Sequence, residues 1–455
     1  MRSDNVNMLS GSITKGLLSM TVPIMIMNVL ATLFNIIDMT VLRIFSDDRA
    51  VGAVGACGTL VVLSTSLLIG IAAGANVIVA KRIGERDHER AEKAVMTALL
   101  FSLVGGIVLL VIGVTFAETF LEMTNCPSGL LPQATKYLKI YFYGTPISIF
   151  YSFCASILRA TGDTKRPMYF SILGGIIKVL FTVLFTAFFD QDVEGVAFAT
   201  IISQIIASGL AFGRLVKFQN VVRVNFNQIK FDMTELRSML HIGIPAGVQS
   251  ALYSLANVVI ATAVNGFGEA ATTGIAIANQ FDGILYQISL APSYAVAPYV
   301  AQNVGAGNIK RVKATLGRAI LITTAFAATL GSLSAIFSKE LSSIMSTTPE
   351  VIAFSQQKMI IVSSTYFICG INDVLGGVLR GMGKPMMPTI STLIYLCLLR
   401  FIWVYAIFPL VPNLTFLYTV WPIGWALSIV TLLITYFIAM KKMKGKQEER
   451  LCPAE

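Results

Sequence analysis

Long apolar runs separated by short polar stretches dominate the chain along its whole length. A membrane-spanning helix needs about 20 consecutive, mainly apolar residues. By this measure the pattern predicts an all-α integral membrane protein with twelve transmembrane helices. We place the helices at 16–42, 51–80, 93–116, 132–158, 167–189, 193–216, 236–264, 270–301, 313–337, 350–379, 386–409 and 417–440.

Composition supports a lipid environment, because only 13% of the 455 residues are charged and 55% are hydrophobic. Soluble proteins carry about 25% charged residues. The net charge of +10 comes from short basic pieces between the apolar runs, which argues against nucleic acid as a partner. The six cysteines form no CxxC pair and there are only two histidines, so we expect no metal site.

The number of lysine and arginine residues is alternately high and low from one loop to the next. One side of the predicted membrane receives 26 of them and the other six, while Lys178 and Arg400 lie inside spans. Cytoplasmic loops carry the excess of basic residues, so both termini are predicted to be cytoplasmic. The six outer residues are Arg43, Arg49, Lys136, Lys139, Lys339 and Lys358.

Sequence landmarks recur in the two halves at a nearly constant spacing. Residues 158–163 and 379–384 share the pattern Leu-Arg-x-x-Gly at a distance of 221, and Pro23 and Pro245 lie 222 apart. Such ordered coincidences indicate an internal duplication. Six spans in each copy predict two lobes of the same orientation, related by a pseudo-twofold axis along the membrane normal.

The duplication divides the chain into four parts. They are an N-lobe at 1–216, a cytoplasmic linker at 217–235, a C-lobe at 236–440 and a basic cytoplasmic tail at 441–455. Two parallel lobes are expected to enclose a central cleft, which opens to each side in turn as the lobes rock. This architecture is typical of a secondary transporter rather than of an enzyme.

Asp38 is the strongest candidate for a functional residue. Placing a charged group at membrane depth costs about 3 kcal/mol or more of free energy, so such residues are functional candidates by default. Asn35 lies one helical turn before Asp38 on roughly the same face, and Asn28 lies two turns earlier still. A carboxylate in this setting can bind Na⁺ or take up a proton. The alternative is an interfacial Asp that caps the outer loop near Arg43.

Lys178 and Arg400 occupy equivalent positions in the two halves, 222 residues apart. One hypothesis is a pair of ion bridges, from Asp38 to Lys178 and from either Asp282 or Asp373 to Arg400. The alternative is that both cations are structural. We expect other polar residues of the spans to line the cleft with them, and prolines to bend two helices. The cleft candidates are Asn28, Gln249, Asn257, Gln280, Asp282, Asp373 and Arg400, and the bends are Pro23 and Pro245.

Three motifs resemble those of the multidrug and toxin extrusion (MATE) transporters. They are the Leu-Arg-x-x-Gly turns at 158–162 and 379–383, Phe34–Asp38 in the first span, and Gln302–Asn308 after the eighth. The resemblance implies an exporter in the bacterial plasma (inner) membrane that exchanges organic, often cationic compounds for H⁺ or Na⁺. In many bacterial members, an Asn and an Asp complete the first-span site, where this chain has Lys178 and Thr182.

The resemblance thus implies an ion-coupling site formed by Asn35, Asp38, Lys178 and Thr182. The nearest alternative is a flippase of related fold for lipid-linked oligosaccharides, for which a markedly cationic cleft would be expected. An intramembrane enzyme would need clustered His or paired Asp motifs. We expect no catalytic residues and no cofactor beyond the coupling ion. We also expect a monomer whose partners are lipid and small organic substrates.

Overall fold

The structure is a computed structural model, and it describes residues 5–46, 48–124, 126–189, 191–217 and 231–451. Within these ranges the regular structure is helical throughout. Residues 218–230 of the predicted linker and 452–455 of the predicted tail lie outside the described residues. The first span of the second half begins after Asp232, whose carboxylate accepts hydrogen bonds from the backbone N–H groups of Thr234 and Glu235.

Six long helices make up the first half, and each contains or closely matches one predicted span. They are α1 (Ile13–Phe45), α2 (Asp48–Gly84), α3 (His88–Met123), α4 (Leu131–Ala160), α5 (Lys165–Phe188) and α6 (Val193–Val216). A polar residue marks the beginning of α3. Asp87 caps α3 by accepting the backbone N–H of Arg90 at 3.0 Å.

The second half begins with three comparable helices and then becomes more irregular. The helices are α7 (Met233–Asn265), α8 (Glu269–Gly305), α9 (Ile309–Ile336), α10 (Ser338–Met345), α11 (Pro349–Ser364), α12 (Tyr366–Gly381), α13 (Met386–Ser391), α14 (Leu399–Ile402), α15 (Leu414–Tyr418) and α16 (Val420–Leu451).

Two of the predicted spans in this half are not regular helices. The tenth consists of α11 and α12, which meet at Thr365 with a bend of 45°. In the eleventh, π-helical turns at Thr392–Leu398 and Trp403–Ile407 flank the short α14. Such turns widen a helix locally and are frequent at functional sites.

Ten helical segments of the described chain are long and apolar enough to cross a membrane, and the bent pair α11–α12 makes an eleventh. The remaining predicted span is α8, which is 37 residues long but carries Asn279, Gln280 and Asp282. These polar side chains lower its hydropathy. Asp282 is paired with Lys358 of α11, which accounts for a charged residue inside this span.

The chain folds into two compact units. The first unit is built mainly from Ile26–Ala251, and the second from Asn7–Met25 with the chain from Leu252 onward. The division falls inside α1 and α7, both of which continue as helices through Pro23 and Pro245. The bends at these prolines and the sequence-based lobe boundaries stay predictions.

Within the first unit, α2 and the beginning of α7 pack with their backbones in close contact. A Cβ added to Gly70 would overlap the backbone of Gly247, and one added to Gly243 would overlap Ile71. Small residues allow such close packing of helices in membranes. An ion pair of 2.9 Å between Arg82 and Glu235 joins the same two helices.

Candidate functional site

The four predicted ion-coupling residues lie together in the first unit, between α1 and α5. The Lys178 Nζ atom is 2.5 Å from Asp38 Oδ2 and donates a hydrogen bond of 3.2 Å to Asn35 Oδ1. The Thr182 hydroxyl donates to Asp38 Oδ1 at 3.2 Å. The predicted Asp38–Lys178 ion bridge is confirmed, and we call these four residues the Asp38 site.

Helical spacing and one glycine create this arrangement. Asn35 and Asp38 lie one turn apart on α1, and Lys178 and Thr182 lie one turn apart on α5, so each helix presents two polar groups on one face. Gly175 comes one turn before Lys178, and a Cβ there would overlap the ring of Phe34 on α1. The missing side chain therefore lets the two helices approach at the site.

The Asp38 site opens onto a cavity of about 470 Å³ inside the first unit. Pockets for small organic ligands typically measure about 300–1,000 Å³. Its wall includes the stacked pair Tyr137 and Tyr141, whose ring centroids are 6.3 Å apart. The Oε1 atom of Gln204, another lining residue, is buried without a hydrogen-bond partner. The cavity thus combines aromatic surface with polar groups that are available to a ligand.

The electrostatics of the Asp38 site are those of a buried, self-neutralised pair. Asp38 is 4% exposed, so its carboxylate depends on Lys178 and Thr182 for the solvation that water would supply. Removing either partner of such a pair leaves an uncompensated charge, which is unfavourable. A proton or a metal cation that reaches the carboxylate must therefore change the state of Lys178.

The second unit contains a second buried ion pair, between Asp282 of α8 and Lys358 of α11. The Lys358 Nζ atom lies 2.8 Å from Asp282 Oδ2 and also donates to the side-chain oxygen of Asn279. The placement of Lys358 in an outer loop is wrong, because this residue is only 2% exposed. Asp282 also accepts a hydrogen bond from the Ser363 hydroxyl at 3.2 Å.

Arg400 lies near this pair but is not part of it. Its Nη1 atom donates to Asn257 Oδ1 at 2.8 Å, and its guanidinium carbon lies 5.1 Å from the ring centroid of Trp421. Within the described ranges, no carboxylate lies at ion-pair distance from Arg400. The predicted bridge from Asp282 or Asp373 to Arg400 is therefore wrong, since Lys358 takes up the carboxylate of Asp282.

Asp373 occupies a separate buried position on α12. Its Oδ atoms contact Asn372 at 3.5 Å and the Cys369 thiol at 3.9 Å. Asn372 in turn accepts a hydrogen bond of 2.5 Å from Ser428 of α16. Asp373 is thus held within its own polar cluster.

The other cleft candidates are distributed over α1, α7 and α8. Asn28 is half-buried, and its Nδ2 atom has no hydrogen-bond partner. Gln249 is half-buried on α7, and Gln280 is exposed on α8. Their place in a central cleft stays a prediction.

Sequence reasoning missed Lys358, Asn279 and Trp421 as members of the polar cluster in the second unit. A signal for Lys358 was present, because it lies eight residues inside the predicted span 350–379 rather than in a loop. Asn279 lies one turn before Asp282 and thus shares a face with it. Nothing in the sequence pattern distinguishes Trp421 from the aromatic residues common at membrane interfaces.

Comparison with known proteins agrees with the duplicated architecture. The MatE family model matches the chain twice, at residues 23–184 and 245–406. The two matches begin at Pro23 and Pro245, the landmarks that define the repeat spacing of 222.

Individual relatives match most of the chain. The "Probable multidrug resistance protein YoeA" of Bacillus subtilis (strain 168) is 28% identical over 82% of both chains. An "FAD transporter" of Shewanella oneidensis is 25% identical over 87% of this chain and 88% of its own. A solved multidrug resistance MATE family transporter of the MOP superfamily, in an outward-facing conformation, superimposes with a TM-score of 0.89. It is 18% identical, and the match covers 98% of this chain and 100% of that one.

The fold and the matches define a multi-pass membrane transporter of the twelve-helix, two-lobed class, which confirms the predicted fold class. The chain belongs to the MatE family, whose curated members include multidrug efflux transporters. The resemblance seen in the sequence motifs is confirmed, and so is the assignment as a transporter rather than an enzyme.

Proposed function

We propose that this protein is a secondary active antiporter that exports organic small molecules, often cationic, in exchange for protons. The observation that carries the proposal is the Asp38 site, where a buried carboxylate and a half-buried ammonium face a ligand-sized cavity. We further propose that the two lobes rock around a central cleft and that both termini are cytoplasmic. The protein acts as a monomer in the bacterial plasma membrane, without a cofactor.

The geometry of Lys178 favours H⁺ over Na⁺ as the coupling ion. Its ammonium group is 2.5 Å from Asp38 and occupies the position next to the carboxylate that a bound cation would take. A sodium ion would have to displace this tethered cation. A proton only has to neutralise the carboxylate, after which Lys178 is released from its ion pair. Because this ion pair joins α1 to α5, binding of a proton would be linked to a rearrangement of these two helices.

The cavity beside the site is the proposed place for the organic substrate in the first unit. Tyr137 and Tyr141 offer aromatic surface for stacking, and Gln204 offers a free acceptor. Because the cavity contains both members of the ion pair, a substrate bound there would meet a different charge in each protonation state of Asp38. This supports exchange of substrate against protons. The names of the relatives, multidrug resistance protein and FAD transporter, fit a cavity that accepts aromatic organic compounds.

Loss of the carboxylate tests this proposal most simply. We expect Asp38→Asn to abolish resistance to cationic dyes in an efflux-deficient bacterial host, while the protein still inserts into the membrane. The matched control is Glu194→Gln, which removes a carboxylate from an exposed ion pair of the same unit, 3.4 Å from Lys136. The control should confer the same resistance as the unmodified protein. Full resistance in the Asp38→Asn strain, at equal expression, would refute the role of Asp38.

A further inference from the structure

The two halves place one cation and one asparagine in equivalent contact. Lys178 donates to Asn35 in the first unit, and Arg400 donates to Asn257 in the second. In both units the two partners are 143 residues apart along the chain. The spacing of 222 between the copies thus preserves the contact itself, although Lys has become Arg.

The counter-charge is not preserved in the second unit. The position equivalent to Asp38 is Ile260, which is 4% exposed and lies in the apolar core of that unit. A buried guanidinium without a carboxylate partner is costly unless something else supplies negative charge. In the first unit Asp38 supplies that negative charge. In the second unit the equivalent residue, Ile260, carries no charge.

The buried aspartates of α8 and α12, Asp282 and Asp373, are engaged elsewhere. Asp282 is bound by Lys358 at 2.8 Å and by the Ser363 hydroxyl. Asp373 contacts Asn372 and Cys369. Arg400 and the Asp282–Lys358 pair therefore leave one net positive charge beside Trp421, whose ring centroid is 5.1 Å from Arg400 and 5.7 Å from Lys358.

The aromatic cluster that surrounds this charge also contains hydrogen-bond donors without a partner. A guanidinium group has five N–H donors, and the side-chain partner found for Arg400 is Asn257 through Nη1. The same aromatic cluster contains buried donors without a partner, namely the Tyr253 and Tyr418 hydroxyls and the Trp425 indole N–H. Donors around a fixed positive charge are the chemistry that recognises a carboxylate or another acidic group.

The backbone around Arg400 is specialised as well. Arg400 belongs to a four-residue α-helical segment between two π-helical stretches, whereas Lys178 lies in the uninterrupted helix α5. A π-helical turn changes the direction in which the following side chains point. Because π-helical turns are frequent at functional sites, two of them beside one buried cation support a functional role for Arg400.

We propose that the second unit carries a subsite for an organic anion, in which Arg400 binds the acidic group of an aromatic substrate. The inference rests on the proposed export function and narrows its substrate class. Substrates with an acidic group, either anionic or zwitterionic, would be held by the second unit. The Asp38 site would remain responsible for coupling.

All three tryptophans of the chain, Trp403, Trp421 and Trp425, lie in the second unit around this position, so intrinsic fluorescence reports on it directly. The experiment titrates the purified full-length protein in neutral detergent with three probes of the same shape. They are 3-phenylpropionate, 3-phenylpropanol and 3-phenylpropylammonium. We expect saturable binding of the carboxylate at least tenfold tighter than that of the alcohol or the amine. Equal affinities, or tighter binding of the amine, would overturn the proposal whether or not any variant folds.

Variants then locate the binding group. Arg400→Gln should weaken carboxylate binding at least tenfold without changing the weak binding of the alcohol. Arg400→Lys, which keeps the charge but loses the planar fork, should weaken it less. The control Lys339→Gln removes an exposed cation of the same unit and should bind as the unmodified protein does. Unchanged carboxylate affinity in a folded Arg400→Gln protein would refute the assignment.

A lipid headgroup is a second source of the same negative charge. Repeating the titration with added phosphatidylglycerol distinguishes it, because a subsite for soluble anions should still bind 3-phenylpropionate. Complete exclusion of the probe by this lipid would overturn the small-molecule assignment. Binding is measured at equilibrium without any ion gradient. A failure of coupled transport would therefore leave this result intact, and loss of the subsite would leave proton-coupled transport of substrates without an acidic group intact.

Discussion

A charged side chain inside a membrane protein must find its solvation within the protein, and this chain solves that problem in two ways. Lys178 is neutralised by Asp38, and Lys358 is neutralised by Asp282. Arg400 relies on an amide oxygen and an aromatic ring instead. Each ion pair is neutral overall, whereas the positive charge of Arg400 is not neutralised by its contacts. These residues therefore differ in what each can offer to an ion or a substrate.

Removing the tethered cation should change the ion that the Asp38 site accepts. In Lys178→Ala the carboxylate keeps its hydrogen bond from Thr182 but loses the ammonium 2.5 Å away. We expect the variant to be stimulated by a Na⁺ gradient, to which the unmodified protein should not respond. Transport assays under imposed Na⁺ and proton gradients measure this directly. An ion dependence identical to that of the unmodified protein would mean that Lys178 has only a structural role.

The Asp282–Lys358 pair should contribute strongly to stability, because both side chains are almost fully buried. Lys358→Met leaves the carboxylate without its partner, which for buried pairs costs about 3–5 kcal/mol. We expect a clear fall in the thermal unfolding midpoint in detergent and substantial recovery in the double variant Asp282→Asn/Lys358→Met. Lys136→Met, in an exposed pair with Glu194, serves as control and should change stability by about 1 kcal/mol or less. A Lys358→Met protein as stable as this control would contradict the interpretation.

Residue-level contacts were predictable where the duplication and helical spacing constrained them. Asn35, Asp38 and Lys178 were identified from their charge, spacing and repeat positions, and Thr182 from the family resemblance. A chain of polar contacts joins the four residues. The partner of Arg400 was predicted wrongly, because sequence shows which charges are buried but not which of them meet. That choice depends on how α8 and α11 pack, and the packing brings Lys358 to Asp282.

At the scale of elements, the contact between α2 and α7 depends on the absence of side chains. Gly70 and Gly74 face Gly243 and Gly247 so closely that any of the four would overlap the opposite backbone if it gained a Cβ. The ion pair between Arg82 and Glu235 holds the two helices together at one end.

Alanine substitutions test how closely these helices pack. Gly70→Ala should lower the unfolding midpoint, because overpacking costs about 1–3 kcal/mol and the neighbouring atoms are backbone. Gly55→Ala on the same helix meets open space. It should be neutral or slightly stabilising, by about 0.5–1 kcal/mol, because glycine weakens a helix interior. Equal midpoints for the two variants would show that the helices are not in backbone contact.

The apolar pattern predicted the position of almost every helix but not its internal irregularities. The spans predicted at 350–379 and 386–409 contain a 45° bend at Thr365 and two π-helical stretches. Hydropathy does not indicate either feature. Proline, which would indicate a bend in a helix, is absent from both places. Both depend on neighbouring helices that accept the displaced backbone groups, which a one-dimensional pattern does not contain.

On the scale of the whole molecule, the chain is a duplicated unit whose copies have diverged in charge. The family model matches both copies over equal lengths, so the scaffold is shared. A cation is shared, as Lys178 and Arg400, but its carboxylate partner is not, since Asp38 corresponds to Ile260. We propose that the first copy couples transport to protons, while the second adds a subsite for the acidic group of a substrate.

Transport in reconstituted vesicles tests the central claim of proton-coupled antiport most directly. Vesicles that contain either the purified protein or the Asp38→Asn variant are prepared with an acidic lumen. A panel of cationic, neutral and anionic fluorescent compounds is then added outside. We predict that the proton gradient drives accumulation of at least one compound by the unmodified protein, that a Na⁺ gradient does not, and that Asp38→Asn abolishes the accumulation. Accumulation that ignores the proton gradient, or that persists in Asp38→Asn, would contradict the account.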